Sequence, residues 1–527
     1  MHTSALRLPS AASLLVAVLV ALFTGLTPSV VQAIDLQPVL LQAQVVPGDA
    51  PFTFHAPASS LAGLNNNRKV VVWGGWDATD QFSESGSFIW ENGVLTDLIR
   101  SNDVVNSPGI GQPVIITQPG FLDENGNVAQ PAAYGVDQDD VNYIGPNRAG
   151  LVYVNGSEAA NAPGNAHPWN PFVSVEANNN GHMAFYGRVN NNDLGLWLGT
   201  SAATLTRLVQ EDTTLIPGTA TPIRSVAFET PYVNSSGFAV FDAQYGDDLQ
   251  NDAKHVLLYG SNDGNLQVIA RSDVTEVPGL LDGTKFKEVY KEGFNNNGSI
   301  LYAGTWGNGN RRGLFTTAPG VFAPVALSGV TQVPDLVGEF FDDFSFSNAI
   351  ISGNDKIYFE GETSITNIEG VYKWENGTLS TVIREGQNAP GTASTFSQFS
   401  SLHTDAEGNL LFLAETVAGD EGLWYLDASS NQVLPQLLVG QLADVLGDGT
   451  DLRPIAEIVI AATQGGPQAG ENRRLNDNGD FLVRLSFDGG VNTRPVVGLY
   501  LAAVIPEPSA AVLVAVACLL GRRQRLR

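Results

Sequence analysis

Five aromatic residues occupy one position of a recurring pattern: Trp76, Tyr134, Tyr245, Trp306 and Phe487 each lie eleven residues after the start of a short Asn-, Asp- or Ser-led motif. Aromatic faces stack on sugar rings and hold apolar ligands, so this register is the first candidate for binding, against the plainer reading that the rings cover the rim of a core. Acidic residues gather nearby as Asp137, Asp139 and Asp140 and again as Asp247 and Asp248, with others at Asp77, Asp80, Asp252, Asp420 and Glu421. Carboxylate oxygens are the ligands calcium prefers, which makes calcium the one cofactor these loops suggest. Neither an EF-hand loop nor a glycine-aspartate nonapeptide is present, so solvated acidic loops are the simpler reading.

Catalytic spacings are missing. His55, His167, His182, His255 and His403 form no H-E-x-x-H pair, and there is no G-x-S-x-G or P-loop. Carboxylates that cleave glycosides can be distant in sequence, so no catalytic residue is assigned.

The elements that must position these side chains come from a repeat. Clear copies are "NNNGHMAF" from Asn178, "NSSGFAVF" from Asn234, "NNNGSILY" from Asn295, "DAEGNLLF" from Asp405 and "NDNGDFLV" from Asn476. Weaker ones are "NNNRKVVV" from Asn65, "DENGNVAQ" from Asp123 and "SGNDKIYF" from Ser352, which sets a period of about 58 residues. A leading Asn or Asp accepts a backbone hydrogen bond inside its turn, and Gly three residues on takes positive φ. A Pro-Gly or related pair precedes most copies, and Gly-aliphatic-aromatic follows, as in Gly195-Leu196-Trp197 and Gly422-Leu423-Trp424. The echo between "WENGVLTDLIR" from Trp90 and "WENGTLSTVIR" from Trp374 spells a further hairpin, so each unit reads as four short strands.

Such units predict an all-β β-propeller of about eight four-stranded blades, with seven as the alternative count and a β-solenoid as the rival architecture. The last unit lacks its final strand, whereas "LQPVLLQAQVVPG" from Leu36 reads like "LSTVIREGQNAPG". The N-terminal strand is therefore expected to complete the last blade and close the ring. The tight turns would share one face of the ring and the longer connections the other, where variable loops are the usual place for binding. Over residues 36 to 503 the pattern resembles the bacterial tandem-repeat family with an N-x-x-G-x-x-A-F signature, a resemblance that implies fold and export but no chemistry.

Both ends read as addresses. Arg7, an apolar stretch and the small residues before Ala33 form a secretory signal peptide cut after Ala33. The tail carries Pro506-Glu507-Pro508, a short apolar run and a cluster that includes Arg522 and Arg523. This closely resembles the PEP-CTERM sorting signal, which implies recognition by an exosortase and release to the cell surface or exopolysaccharide. The expected domains are a signal peptide at 1–33, a propeller at 34–503 and a sorting segment at 504–527, with membrane contact only through the last. A formal charge of −27 argues against nucleic acid. These readings favour a secreted, non-enzymatic binding or structural protein whose expected partners are the export machinery and extracellular polysaccharide. A polysaccharide hydrolase or lyase on the same scaffold is the alternative.

Overall fold

In the computed structural model, residues 36–504 are described apart from 48–52, 56–61, 77–83, 101–113, 118–120, 135–138, 144–150, 155–174, 178–179, 189–192, 201–203, 227–230, 247–252, 308–310, 318–321, 461–472 and 489–495. Their strands form eight antiparallel sheets in chain order. Blade 1 spans residues 62–100, blade 2 114–154, blade 3 175–210, blade 4 232–271, blade 5 286–327, blade 6 341–384, blade 7 396–438 and blade 8 442–503. Each is a meander of consecutive strands, as the turn spacing requires, except that in blade 2 Val114–Thr117 and Phe121–Leu122 both pair with Val128–Tyr134.

The sheets close a ring. Phe286–Phe294 of blade 5 packs on Phe341–Ile351 of blade 6, which packs on Phe396–Thr404 of blade 7. Ala62–Leu64 of blade 1 meets both Phe121–Leu122 of blade 2 and Asp480–Phe487 of blade 8. The expected closure is present: Gln37–Leu41 pairs antiparallel with Val496–Ala503, with Pro38 opposite Tyr500 and Leu41 opposite Gly498. The molecule is thus an all-β propeller in which the first strand finishes the last blade, covering edges that would otherwise invite other strands.

The core lies between neighbouring sheets. One cluster joins Ile350 and Tyr358 of blade 6 to Phe396, Phe412 and Trp424 of blade 7, and another joins Val39 and Leu40 to Val70, Phe88 and Leu499. The Gly-aliphatic-aromatic signature is a packing device. A Cβ on Gly195 would lie 2.7 Å from the ring of Trp197, and one on Gly422 2.7 Å from that of Trp424. The aromatic side chain folds back across the glycine two residues before it on the same face of the strand. Burying such a ring contributes roughly 4–6 kcal/mol as an upper bound from its area.

Candidate functional site

The repeated Asn serves the ring itself. Asn295 is fully buried; its Oδ1 accepts the backbone N–H groups of Asn297 at 3.1 Å and Ser299 at 3.0 Å. Its Nδ2 donates across the blade boundary to the carbonyl of Ser352 at 2.9 Å. Asn65 bonds the Asp123 carbonyl in the same way, and Asn476 bonds that of Asn65, carrying the chain of staples across the closure. The third residue of the motif adds a second bond: Asn297 to Gly353, Asn354 to Glu407 and Asn478 to Asn66. Where Asp replaces Asn it cannot donate, and it instead accepts from an Asn four residues on, as Asp405 does from Asn409. Asp477 then bridges two neighbours at once, accepting from Ala406 N–H at 2.8 Å and Asn66 Nδ2 at 2.7 Å. Arg473 locks the same region through Glu124 at 3.0 Å.

Four of the five register aromatics go to the core, the plainer of the two readings, and not to a ligand platform. Trp76, Tyr245, Trp306 and Phe487 are all buried. Phe54 and Phe88 meet Trp76 edge-on at 6.1 and 5.8 Å, and Phe487 packs on Tyr500 at 5.7 Å. The Tyr245 hydroxyl donates to the Ser272 carbonyl at 2.7 Å under the Arg271 guanidinium. At the end of a second strand, an inward ring caps the space between two sheets, and that burial outweighs display to solvent. Tyr134 lies in strand Val128–Tyr134, with its side chain outside the description. Trp90 and Trp374 before the hairpins and Trp197 and Trp424 of the strand signature are core as well.

Among the proposed acidic ligands, Asp139 and Asp140 begin strand Asp139–Tyr143; Asp137, Asp247 and Asp248 fall outside the described residues, as do Ala33, Pro506, Glu507, Pro508, Arg522 and Arg523. Among the described residues no group of three or more His, Cys, Asp or Glu is placed to hold a metal ion, and no helix is long and apolar enough to cross a membrane. The described histidines are dispersed, and burial drives His403 down to about 3 with the Arg474 charge acting in the same direction.

A different set of carboxyls meets on the loop face of blade 6, beside blade 7. A cavity of about 340 Å³ is lined by Asp343, Glu360, Glu362, Glu369 and Glu385 with Asn367 and Gln398. Glu360 and Glu362 point the same way because they alternate along strand Ile357–Thr363. Glu369 opens the next strand, Glu369–Glu375, directly opposite Glu362. Its position is held by its own N–H, which donates to Glu385 Oε2 at 3.0 Å, while Asn348 Nδ2 donates to Glu360 Oε2 at 2.6 Å. The connection between the two strands is locked by Ile368 N–H donating to Thr363 Oγ1 at 2.9 Å.

Burial, a side-chain hydrogen bond to Glu360 and the charges of Glu360 and Glu385 raise Glu369 well above the ordinary carboxylate range, against a backbone hydrogen bond from Phe399 that lowers it. Pushed up to about 8, Glu369 keeps its proton at neutral pH, so the wall of the cavity offers a donor as well as acceptors. Arg312 of blade 5 closes one side through Asp343 at 3.0 Å. Sequence reasoning missed this group because its members come from three strands and a loop of one blade and a strand of the next. One signal was available: an acidic residue directly before the signature glycine, at Glu369-Gly370 and again at Glu421-Gly422. Glu421 is likewise raised by burial, Glu415 and Glu457.

A second cavity, of about 430 Å³ on the turn face, is bordered by Asn409, Asp427, Asp477 and Asn478. Those side chains are engaged in turn and staple bonds: Asp427 accepts from Ser429 N–H, and Asn478 donates to Asn66. The loop-face cleft is therefore the candidate site.

The chain belongs to the family of unknown function DUF7453, matched over residues 64–512. No curated protein matches it. Among solved structures it is similar to Saccharomyces cerevisiae Sqt1 at 11% identity, covering 86% of this chain and 98% of that one with a TM-score of 0.36. It is also similar to the polysaccharide lyase Uly1 at 11% identity, covering 89% and 98% with a TM-score of 0.33. A Mycobacterium tuberculosis puromycin-hydrolyzing peptidase gives 8% identity, 90% and 63% coverage and a TM-score of 0.38. Likenesses this distant carry no inference about activity.

Proposed function

We propose that this propeller is an exported, non-enzymatic binding module that engages a hydroxyl-rich polymer, such as an extracellular polysaccharide, at the cleft formed by Glu360, Glu369, Glu385 and Gln398. The observation that carries this reading is the gathering of Glu360, Glu369 and Glu385 on the wall of the 340 Å³ cavity, with Glu369 raised well above the ordinary carboxylate range. Ionised carboxylates accept from the vicinal hydroxyls of a sugar, while the protonated Glu369 and the Gln398 amide donate to its ring and ether oxygens. Export through Ala33 cleavage, and sorting at Pro506-Glu507-Pro508 by an exosortase-like enzyme ahead of Arg522 and Arg523, complete the proposal and rest on the sequence.

The polysaccharide hydrolase or lyase reading draws on the same pair, since a raised carboxyl is what a general acid needs. Its geometry weighs against glycoside hydrolysis by these two groups. Carboxyls that flank a glycosidic bond stand about 5–9.5 Å apart, whereas Glu360 and Glu369 are in direct hydrogen-bond contact.

A screen of the purified protein against neutral and acidic polysaccharides, with product length followed by size exclusion, separates these readings. Binding without shortening, weakened at least tenfold by Glu369→Ala with the fold intact, is the expected result. Shortening of the polymer would make the protein an enzyme, and no binding to any polymer would remove the cleft as a glycan site. Mass spectrometry of the surface-associated protein checks export: the mature chain is expected to begin after Ala33 and to lack Arg522 and Arg523.

A further inference from the structure

The boundary between blades 4 and 5 holds a buried pair of reactive groups that neither the staples nor the cleft uses. Asp242 lies in strand Phe238–Tyr245 and Lys291 in strand Phe286–Phe294. The Lys291 side chain is 0% exposed and that of Asp242 5%. Lys291 Nζ stands 3.4 Å from Asp242 Oδ2, and the Lys291 backbone N–H donates to Oδ1 of the same carboxyl at 3.0 Å. The ring of Tyr232 lies 5.0 Å from Nζ, within a core that includes Val240, Leu257, Phe294 and Tyr302.

We propose that Lys291 and Asp242 condense into an intramolecular amide that cross-links blade 4 to blade 5. Away from water an ammonium and a carboxylate are both costly, and transfer of one proton from Nζ to Oδ2 neutralises them as amine and carboxylic acid. The amine lone pair then forms the Nζ–Cγ bond while the π electrons of Cγ=Oδ1 move onto Oδ1. The Lys291 N–H already points at Oδ1 and stabilises the negative charge that develops there. Collapse restores Cγ=Oδ1, breaks Cγ–Oδ2 and releases Oδ2 as water with the transferred proton and a second proton from Nζ. The balance is one ammonium and one carboxylate to one secondary amide and one water, with no oxidant, reductant or further reactant.

Three features favour this outcome. Lys291 Nζ already stands 3.4 Å from Oδ2 of the carboxyl it attacks, so nucleophile and electrophile meet without a search through solution. Both groups are held by strand pairing on rigid blades, and the apolar surroundings keep out the water that would hydrolyse the product. The single cysteine of the chain, Cys518, excludes an internal disulfide, so an amide between residues 49 positions apart would be its covalent brace.

The test is peptide mapping of the purified full-length protein by mass spectrometry after denaturation and proteolysis. A branched peptide that joins the segments around Asp242 and Lys291, lighter than their sum by one water and missing from Lys291→Arg and Asp242→Ala, is expected. Recovery of the two segments only as separate, full-mass peptides from the wild-type protein overturns the proposal, whether or not the variants fold. A branched peptide that persists in Lys291→Arg overturns it equally, because arginine does not form this bond.

Discussion

The two faces of the ring use polar side chains in opposite ways. On the turn face, Asn295 directs its oxygen to two N–H groups of its own turn and its nitrogen to the next blade. On the loop face, Glu360 and Glu385 crowd Glu369 until its pKa rises well above the ordinary carboxylate range, and all three still line an open cavity. Repetition marks the first face because every blade has the same neighbour to hold. The second face departs from repetition, and an irregular group of polar side chains on a regular scaffold is where ligand chemistry has room to arise.

The sharpest way to break the comparison is to open the ring on which both faces depend. Leu40→Asp places a charge at a buried position of the closing strand and is expected to cost more than about 4 kcal/mol, enough to abolish cooperative unfolding. Urea unfolding followed by tryptophan fluorescence checks this. Trp306→Ala should cost about 3–5 kcal/mol because it empties a core site. A variant that kept wild-type stability and lost only polysaccharide binding would return the aromatic register to the ligand.

Staples should be worth less than core rings. Asn295→Ala removes two turn bonds and two inter-blade bonds, to the Ser352 carbonyl and Asp355 Oδ1, an expected loss of about 2–3 kcal/mol. Asn295→Asp keeps the turn acceptor but sets a carboxylate against Asp355 Oδ1 and the Ser352 carbonyl, so in the same urea experiment at neutral pH it is expected to lose at least as much as Asn295→Ala.

The loop face should reveal itself through pH. The folded-state pKa of Glu369 is raised, so its contribution to stability is fully present below the ordinary Glu value of about 4.3 and is lost as pH rises toward the higher folded value. Glu369→Gln should flatten that decline in thermal midpoint. His403 has the opposite sign: its folded pKa is depressed to about 3, so stability falls as pH drops below the ordinary His value of about 6.5. The acid limb should survive in Glu369→Gln and flatten in His403→Gln.

The smallest effect is expected at Arg68, which holds the glycine position of its turn with φ of 60°. Arg68→Gly relieves roughly 1 kcal/mol of left-handed strain and loses the 3.4 Å pair with Asp480. A net change within about 1 kcal/mol in urea is expected.

Much of the fold was legible because it rests on local chemistry that repeats. Asn92 and Gly93, and Asn376 and Gly377, take positive φ in the hairpins that "ENG" announced, and the glycines of the Asn-led turns do the same, as at Gly298 and Gly479. Arg68 and Asp355 show that the weak copies keep this geometry without glycine. The candidate site was less legible. Trp76 and Glu369 both stand at strand ends toward one face, and periodicity alone does not tell which side chain turns into the gap between sheets and which lines a cavity.

By itself the sequence determined the period, the turns, the blade signature and the closing strand, because each depends on residues close together in the chain or on a pattern repeated along it. Only the tertiary structure decided what the Asn nitrogens bond, where the register aromatics are buried, and which carboxyls gather on one cavity wall. Those outcomes depend on contacts between blades, where separation along the chain carries no information about distance in space.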